Sequence, residues 1–364
     1  MFEKIVYGIF KKFLSIEEIK SRDIGKPQKI IVVRQHNQLG DLLAGVSLFR
    51  AIKDTFPEST LTLIVSPLNY QGVIKNKFID EIFIFDKKKL LFPSYLYQFI
   101  RLLRKNYDLA IVPVTVSISF TSNLIARFSN SKIRIGAESL DGKKNKSAFL
   151  FDRRIQIDWR KHPDCNVAEI ILDIVRPFGI NTNEFKTEIT FDKKDLESAE
   201  KFIKQLAGPE NKLLLGLHIG AGKIPNRWSL KKYVLLIERL KKDFPLDIYL
   251  TGSSADKEEI NYVTQNISFK VGKFLNRKIS EVAALISKSD LFISNDTGIM
   301  HVAGTTNTPQ ISIFGPTNPY NWAPLGKNKY FIRKSDFIDD IEVDDVFNLC
   351  KEILTMKKEK KVAG

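Results

Sequence analysis

Three strand-to-helix junctions in this chain carry the residues that could do chemistry. The first, VVRQHNQLGDLLAGVSLFRAIK (32–53), runs through Gly40 to Asp41, where an amphipathic stretch opens with Leu42, Val46, Leu48, Phe49 and Ile52 on its apolar face. A carboxylate in that place is either a helix cap, which the segment alone favours, or a general base contributing roughly 10²–10⁴-fold in rate. The second junction, LHIGAGKIPNRWSLKKYVLLIERL (217–240), sets Gly220, Ala221 and Gly222 before Lys223 and Arg227, ahead of a helix expected from about Ser229. Small residues leave backbone N–H groups open and the cations add charge, which is how a chain cradles phosphate oxygens. The spacing is neither a Walker loop nor GxGxxG, and a tight surface turn under Trp228 reads from the same residues. His218, at the strand end, reads as packed or hydrogen-bonded rather than catalytic.

The third junction, DLFISNDTGIMHVAGTTNTPQISIFGPTNPYNW (290–322), is the richest. Asn295, Asp296, Thr297 and Gly298 end a strand and open a short helix that carries His301. Thr297 and His301 are four residues apart and share a helix face. N–H groups at that helix start, with a dipole worth ~0.3–1 kcal/mol, favour an anion. Phe314-Gly315-Pro316-Thr317 adds a further turn at the same sheet edge. Three such turns in one chain point to an anionic ligand and not to caps alone.

The elements that must position these residues alternate regularly. Strands are predicted at 29–34, 60–65, 81–85, 108–113 and 132–136, with helices near 41–55, 94–105, 120–129 and 164–178. The scheme repeats with strands at 213–219, 246–252, 268–272, 290–295 and 309–315, and helices near 193–206, 229–242, 256–265, 278–287 and 298–304. Strands apolar on both faces, alternating with helices, imply parallel sheets covered on both sides. Two doubly wound domains are expected, 1–180 and 181–364, hinged near RPFGINTNEF (176–185), with the last helix at about 343–356 returning to the first domain. Ligands of such sheets bind at the carboxyl ends of the strands, so the site is expected in the cleft between the domains.

Composition bounds the function. At 364 residues, 43% hydrophobic and 27% charged, the chain is long enough for two ordinary globular cores. No apolar run approaches the ~20 residues that span a bilayer. The N-terminal MFEKIVYGIF lacks the form of a secretory signal, and two cysteines, Cys165 and Cys350, suit a reducing compartment. A cytoplasmic protein is expected. The net charge of +15 is uneven: residues 1–180 hold 29 Lys and Arg against 18 Asp and Glu. That half should meet something anionic.

Two stretches make a membrane surface the candidate partner. Phe2, Ile5, Val6, Ile9, Phe10 and Phe13 recur at helical spacing among Lys4, Lys11 and Lys12 in an extension over 1–26. The segment KKKLLFPSYLYQFIRLLRK (87–105) mixes aromatics with bases. Docking on an anionic inner leaflet is the favoured reading of 2–14, and packing against the sheet that of 87–105. Nucleic acid is disfavoured for want of any RRM, KH or zinc signature. A nicotinamide dehydrogenase is disfavoured because RQHNQLGD follows the first strand. No metal-ligand spacing is evident at the strand ends, and the acidic DFIDDIEVDD (336–345) reads as the cap of the last helix.

Gly40-Asp41 after the first strand, HIGAGKIPNRW, and NDTGIMHVAG followed by FGPTNP resemble glycosyltransferase family 9, the heptosyltransferases of the lipopolysaccharide core. The resemblance covers about residues 29–356, with NDTGxxH…FGPT its most specific part. It implies a GT-B fold: two facing Rossmann-like domains, the first taking a lipid-linked acidic saccharide and the second a nucleotide sugar, usually ADP-heptose. It implies that Asp41 deprotonates the acceptor hydroxyl, with Gly40 and Arg34 on the acceptor side. By the same resemblance Gly220, Ala221, Gly222 and Lys223 form the diphosphate loop. Asp296, Thr297, Gly298 and His301 hold the diphosphate and sugar, and Gly252 with Asp256, or Glu258, holds the nucleoside. Many members carry a lysine where this chain has Asn226, so Lys223 or Arg227 is expected to neutralise the departing phosphate. No cofactor and no metal are implied, and the protein would work peripherally at the inner face of the cytoplasmic membrane. The competing reading is a catalytically silent GT-B protein that binds an anionic glycolipid or nucleotide.

Overall fold

The computed structural model describes residues 8, 10–206 and 212–363. The chain forms two compact units that divide between Phe185 and Lys186.

The first unit is built on strands β1 (Lys29–Arg34), β2 (Thr60–Val65), β3 (Glu81–Ile84), β4 (Tyr107–Ile111), β5 (Ser131–Leu140), β6 (Lys143–Lys144) and β7 (Arg153–Ile157). Their order is β3-β2-β1-β4-β5-β6, with β7 on β5. All pairs are parallel except the two-residue β5–β6 hairpin. β1 is buried from Ile30 to Arg34, because helices cover both faces of a parallel sheet and leave no wet side. One face packs on α1 (Leu39–Ala44) and α2 (Val46–Thr55), and the other on α3 (Pro93–Leu103) and α4 (Phe120–Phe128).

The second unit repeats the plan with β8 (Leu213–His218), β9 (Leu246–Gly252), β10 (Gly272–Leu275), β11 (Leu291–Asn295), β12 (Gln310–Ile313) and β13 (Lys329–Ile332). Its order is β10-β9-β8-β11-β12-β13, parallel throughout. Around it lie α5 (Lys193–Leu206), α6 (Leu230–Asp243), α7 (Lys257–Asn266), α8 (Ile279–Ser287), α9 (Gly298–Gly304) and α10 (Val343–Ala363). On α10, Val346, Phe347, Cys350, Ile353 and Leu354 join the core of this same unit, against α6, β8 and β11.

Several elements differ from the sequence reading. The helix predicted over 41–55 is two helices, broken at Gly45, where a Cβ would meet Ile171 Cδ1 at 3.1 Å. The strand predicted at 268–272 starts at Gly272. In place of one helix over 164–178 stand a single α-helical turn, Val167–Ile170, and two 3-10 turns, Ile171–Ile174 and Arg176–Phe178. β7 and β13 carry too little pattern to be predicted: polar residues break up RRIQI, and KYFI is a four-residue edge segment.

The N-terminal extension also finds a partner. Phe2, Ile5, Val6 and Ile9 lie outside the described residues, but from residue 10 the chain is seated on the first unit. Phe10 meets Phe120 edge-on at 5.8 Å, and Arg127 Nε donates to the Leu14 carbonyl at 2.8 Å. The Ile16 and Ile19 N–H groups then donate to the carbonyls of Phe149 and Asp152. Backbone bonds and a packed ring therefore hold 10–19, a stretch that includes residues 10–14 of the 2–14 segment expected at a membrane.

Candidate functional site

In the first unit, β1 ends in Arg34 and the chain re-enters a helix at Leu39, so Asp41 stands in the first turn of α1 rather than at its cap. Gln38 is the N-cap and makes no side-chain capping bond. Asp41 points inward and is 5% exposed. Its Oδ1 accepts from Thr115 Oγ1 at 3.4 Å and lies 4.0 Å from the Arg34 guanidinium. The capping role favoured by the local sequence is thus not what this side chain does. Gly40 lies within the helix and not in a sharp turn.

Arg34, expected on the acceptor side, is buried instead beneath Asp41. It donates to Thr115 Oγ1 at 2.9 Å and to the carbonyls of Asp41 and Pro113 at 3.4 Å. Burial pushes its guanidinium below the ordinary value, with the Asp41 charge opposing that shift. Thr115 is a member that the sequence did not signal. Trp159 Nε1 donates to its carbonyl at 2.9 Å and fixes the loop after β4. The turn between β1 and α1 is held from outside as well, by Asn69 Nδ2 donating to the His36 carbonyl at 2.6 Å. The result is a carboxylate fixed by a hydroxyl and a buried cation at the carboxyl end of the central strand.

In the second unit, the junctions after β8, β9 and β11 come together. Asn295 Nδ2 donates to the carbonyls of Ile219 and Gly220, at 2.9 and 3.3 Å, tying the small-residue loop to the NDTG turn. Its Oδ1 accepts from the Tyr233 hydroxyl at 2.9 Å. A Cβ on Gly220 would stand 2.1 Å from Asp256 Oδ1, so only glycine allows that contact. Asp256 is held by the Ser253 N–H and hydroxyl, at 2.8 and 3.0 Å, in a capping box after β9. Gly252 faces Ile260 and Asp256 with equally little room. Glu258 is exposed. Gly222 has open space about its Cα, and Ala221 is buried.

Asp296 is the charged centre of this group. Asn226 Nδ2 donates to its Oδ2 at 2.8 Å. Burial raises its carboxyl above the ordinary value, while Thr317, Lys223 and Asn226 work in the opposite direction. Thr297, the N-cap of α9, makes no side-chain cap bond, so its hydroxyl leaves the first N–H groups of that helix open. His301 is buried, its ring 6.3 Å from that of Trp322, and burial lowers its imidazole to about 4.

The two cations of the loop are not equivalent. Arg227 Nε donates to the Ala221 carbonyl and its NH1 to Glu259 Oε1, both at 2.7 Å. Its charge is spent on a half-buried pair. Lys223 is exposed and close enough to act on Asp296. His218 Nδ1 stands 3.1 Å from both the carbonyl and hydroxyl of Thr251, in keeping with a packed histidine. Among the described residues no group of three or more His, Cys, Asp or Glu gathers as a metal-ligand set. None of the described helices is long and apolar enough to cross a membrane.

The family model described as glycosyltransferase family 9 (heptosyltransferase) matches residues 96–344. Lipopolysaccharide heptosyltransferase 1 of Campylobacter coli is 26% identical over 355 residues, covering 89% of this chain and 98% of that protein. Lipopolysaccharide heptosyltransferase 3 of Escherichia coli is 24% identical over 305 residues, covering 79% and 84%. Among solved structures, the glycosyl transferase family 9 protein of Veillonella parvula superposes with a TM-score of 0.79 at 17% identity, covering 93% of this chain and all of that one. An E. coli heptosyltransferase crystallised with ADP gives 0.66 at 16% identity, covering 89% and 99%. The fold is therefore of the GT-B type, each unit carrying a Rossmann-like sheet.

Proposed function

This chain belongs to glycosyltransferase family 9, and on that premise we propose that it transfers a heptosyl group from ADP-heptose to a lipid-linked acidic saccharide of the lipopolysaccharide core. The second unit binds the donor and the first unit binds the acceptor. The observation that carries the donor half is the convergence of three junctions at the carboxyl ends of β8, β9 and β11, bound together by Asn295 and by the Gly220–Asp256 contact. Gly252 and Asp256 take the nucleoside side. The main chain of Gly220–Lys223 and the start of α9 at Thr297 and Gly298 take the diphosphate, with Asp296 and His301 toward the sugar.

In the reaction, Asp41 accepts the proton of the acceptor hydroxyl as its oxygen bonds to the anomeric carbon. The bond from that carbon to the diphosphate oxygen breaks, and the electron pair leaves with ADP. Charge builds on the leaving group in an oxocarbenium-like transition state, where fixed donors and cations act most strongly. Lys223 supplies the mobile cation here, since Arg227 is engaged with Glu259. Arg34 and Thr115 hold Asp41 in place and do not themselves touch the acceptor. We place the enzyme in the cytoplasm at the inner membrane face, where such an acceptor is presented. With a lysine and backbone N–H groups on the diphosphate, turnover is expected to persist in excess EDTA; its loss would show that a divalent ion is needed.

Calorimetric titration with ADP, UDP, GDP and CMP and their sugars, repeated on Asp296→Ala, tests the donor assignment. Selective ADP binding that the variant loses is expected. Selective binding of another nucleotide would discard ADP-heptose, and no binding of any would leave a catalytically silent binder of anionic glycolipid.

A further inference from the structure

The first unit carries an exposed apolar stripe that the transfer reaction does not use. Residues 87–91 form a 3-10 turn that leads into α3, and several of the outward side chains there are large and apolar. Leu91 is 88% exposed, Tyr97 66% and Phe92 61%, with Leu96 and Ile100 also open. Phe92, Leu96 and Ile100 follow at four-residue spacing, so they form one line along the helix. Soluble surfaces scatter such residues singly and rarely align them.

The opposite face fixes the orientation. Phe99 packs on Phe83 and Phe85, with ring centroids 5.4 and 4.9 Å apart. The Tyr95 hydroxyl donates to the Ile84 carbonyl at 2.8 Å and accepts the Asp86 N–H at 2.7 Å. With Phe99, Leu102 and Leu103 buried, α3 cannot roll to hide its outer stripe.

Charge identifies what covers it. Between Asp86 and Asp108 the sequence has no acidic residue and six cations. Lys105 pairs with Glu81, whereas Lys87, Lys88, Lys89, Arg101 and Arg104 are exposed and make no ion pair among the described residues. Unpaired cations beside an apolar line match a bilayer, whose anionic headgroups meet the cations while the acyl boundary receives the side chains. A second copy of this chain would bring the same five cations against one another.

We propose that the 87–104 face is a membrane-docking surface for an anionic phospholipid bilayer, with Leu91, Phe92, Leu96, Tyr97 and Ile100 inserted at the interface and Lys87, Lys88, Lys89, Arg101 and Arg104 on the headgroups. It holds whichever sugar the enzyme transfers.

Sedimentation of the full chain with vesicles of phosphatidylcholine, with and without 30% phosphatidylglycerol, tests it. Binding is expected only to the anionic vesicles. Each cation near such a surface is worth roughly five-fold in partition, so Lys87→Gln/Lys88→Gln/Lys89→Gln should weaken it about a hundred-fold. Leu91→Ser/Phe92→Ser/Leu96→Ser should weaken it as well, and both variants should keep the wild-type melting temperature and ADP affinity. A control, Lys143→Gln/Lys144→Gln/Lys146→Gln, removes three exposed lysines elsewhere on the same unit and should bind as wild type. Equal losses in the control would overturn the proposal in favour of general charge. Unchanged binding by the first two variants would overturn it outright. So would concentration-dependent dimerisation that the serine variant abolishes, since a second copy would then cover the face.

Discussion

Asn226 donates its side-chain amide to the carboxylate of Asp296 at 2.8 Å, and a second, longer bond of 3.3 Å reaches the Asp296 carbonyl. This neutral amide fixes the geometry of Asp296 without cancelling its charge. Among the described residues the charge that acts on that carboxyl is that of Lys223, an exposed residue of the loop. This division of work, with orientation from Asn226 and charge from Lys223, shapes how the donor half should respond to substitution.

Lys223 and Arg227 should separate cleanly. Lys223→Gln is expected to raise the donor KM about ten-fold, one charge-assisted hydrogen bond, and to leave the melting temperature unchanged. Arg227→Gln orphans Glu259 and frees the Ala221 carbonyl, so it should lower the melting temperature by ~2–4 °C. Donor saturation curves and thermal melts on both variants decide the matter. The reverse pattern would make Arg227 the phosphate ligand.

Thr115 holds Asp41 from the loop after β4, and Thr115→Val keeps its shape while removing the hydroxyl. Losing one positioning hydrogen bond should lower kcat by roughly five- to ten-fold with little change in either KM. Thr115→Ser, which restores the hydroxyl, should recover most of the rate. A rate in Thr115→Val equal to wild type would show that the hydroxyl does not position Asp41.

Asp296 carries a raised carboxyl because it is buried. The folded state therefore binds its proton more tightly than the unfolded chain, and the associated stability is greatest below 3.8 and lost as pH rises through the folded value. Asp296→Asn removes that cost at neutral pH. It should melt above wild type at pH 7.5, with the gap closing toward pH 4. Donor binding should be lost at the same time. A variant that melts lower than wild type at every pH would refute the assignment of a buried, costly charge.

His301 shifts the opposite way. Its imidazole is lowered by burial from 6.5 to about 4, so the unfolded chain binds the extra proton over that interval. Stability from the neutral ring is fully present above pH 6.5 and drains away as pH falls through about 4, on the order of 3 kcal/mol at full extent. His301→Phe should flatten the acid limb of a stability–pH curve from denaturant melts. A slope as steep as wild type would show that this ring does not stay neutral.

Much of the fold was legible because it rests on local signals. Runs such as KIIVVR and LDIYLTG are apolar on both faces, and each buried parallel strand was recognised from that pattern. Edge elements escaped, since β13 has only KYFI to show and gains its place by pairing with β12. The candidate site divides the same way. Asp41, Gly220 and Asp296 stand at junctions that the strand–helix alternation marks out. Thr115 reaches Asp41 across 74 positions and sits in a loop, VPVTVS, without turn or cap signals. Nothing local to Arg34 signals its burial, yet its guanidinium donates to Thr115 and to the Pro113 carbonyl in the loop after β4. Only tertiary packing decides such cases.

The central claim is that Asp41 is the base, and the most direct test is Asp41→Asn. Transfer of labelled heptose from ADP-heptose to the lipid-linked acceptor would be followed beside calorimetric ADP binding. The account predicts a fall in kcat of about 10²–10⁴-fold with ADP affinity within two-fold of wild type. Turnover retained within a few-fold of wild type would contradict it.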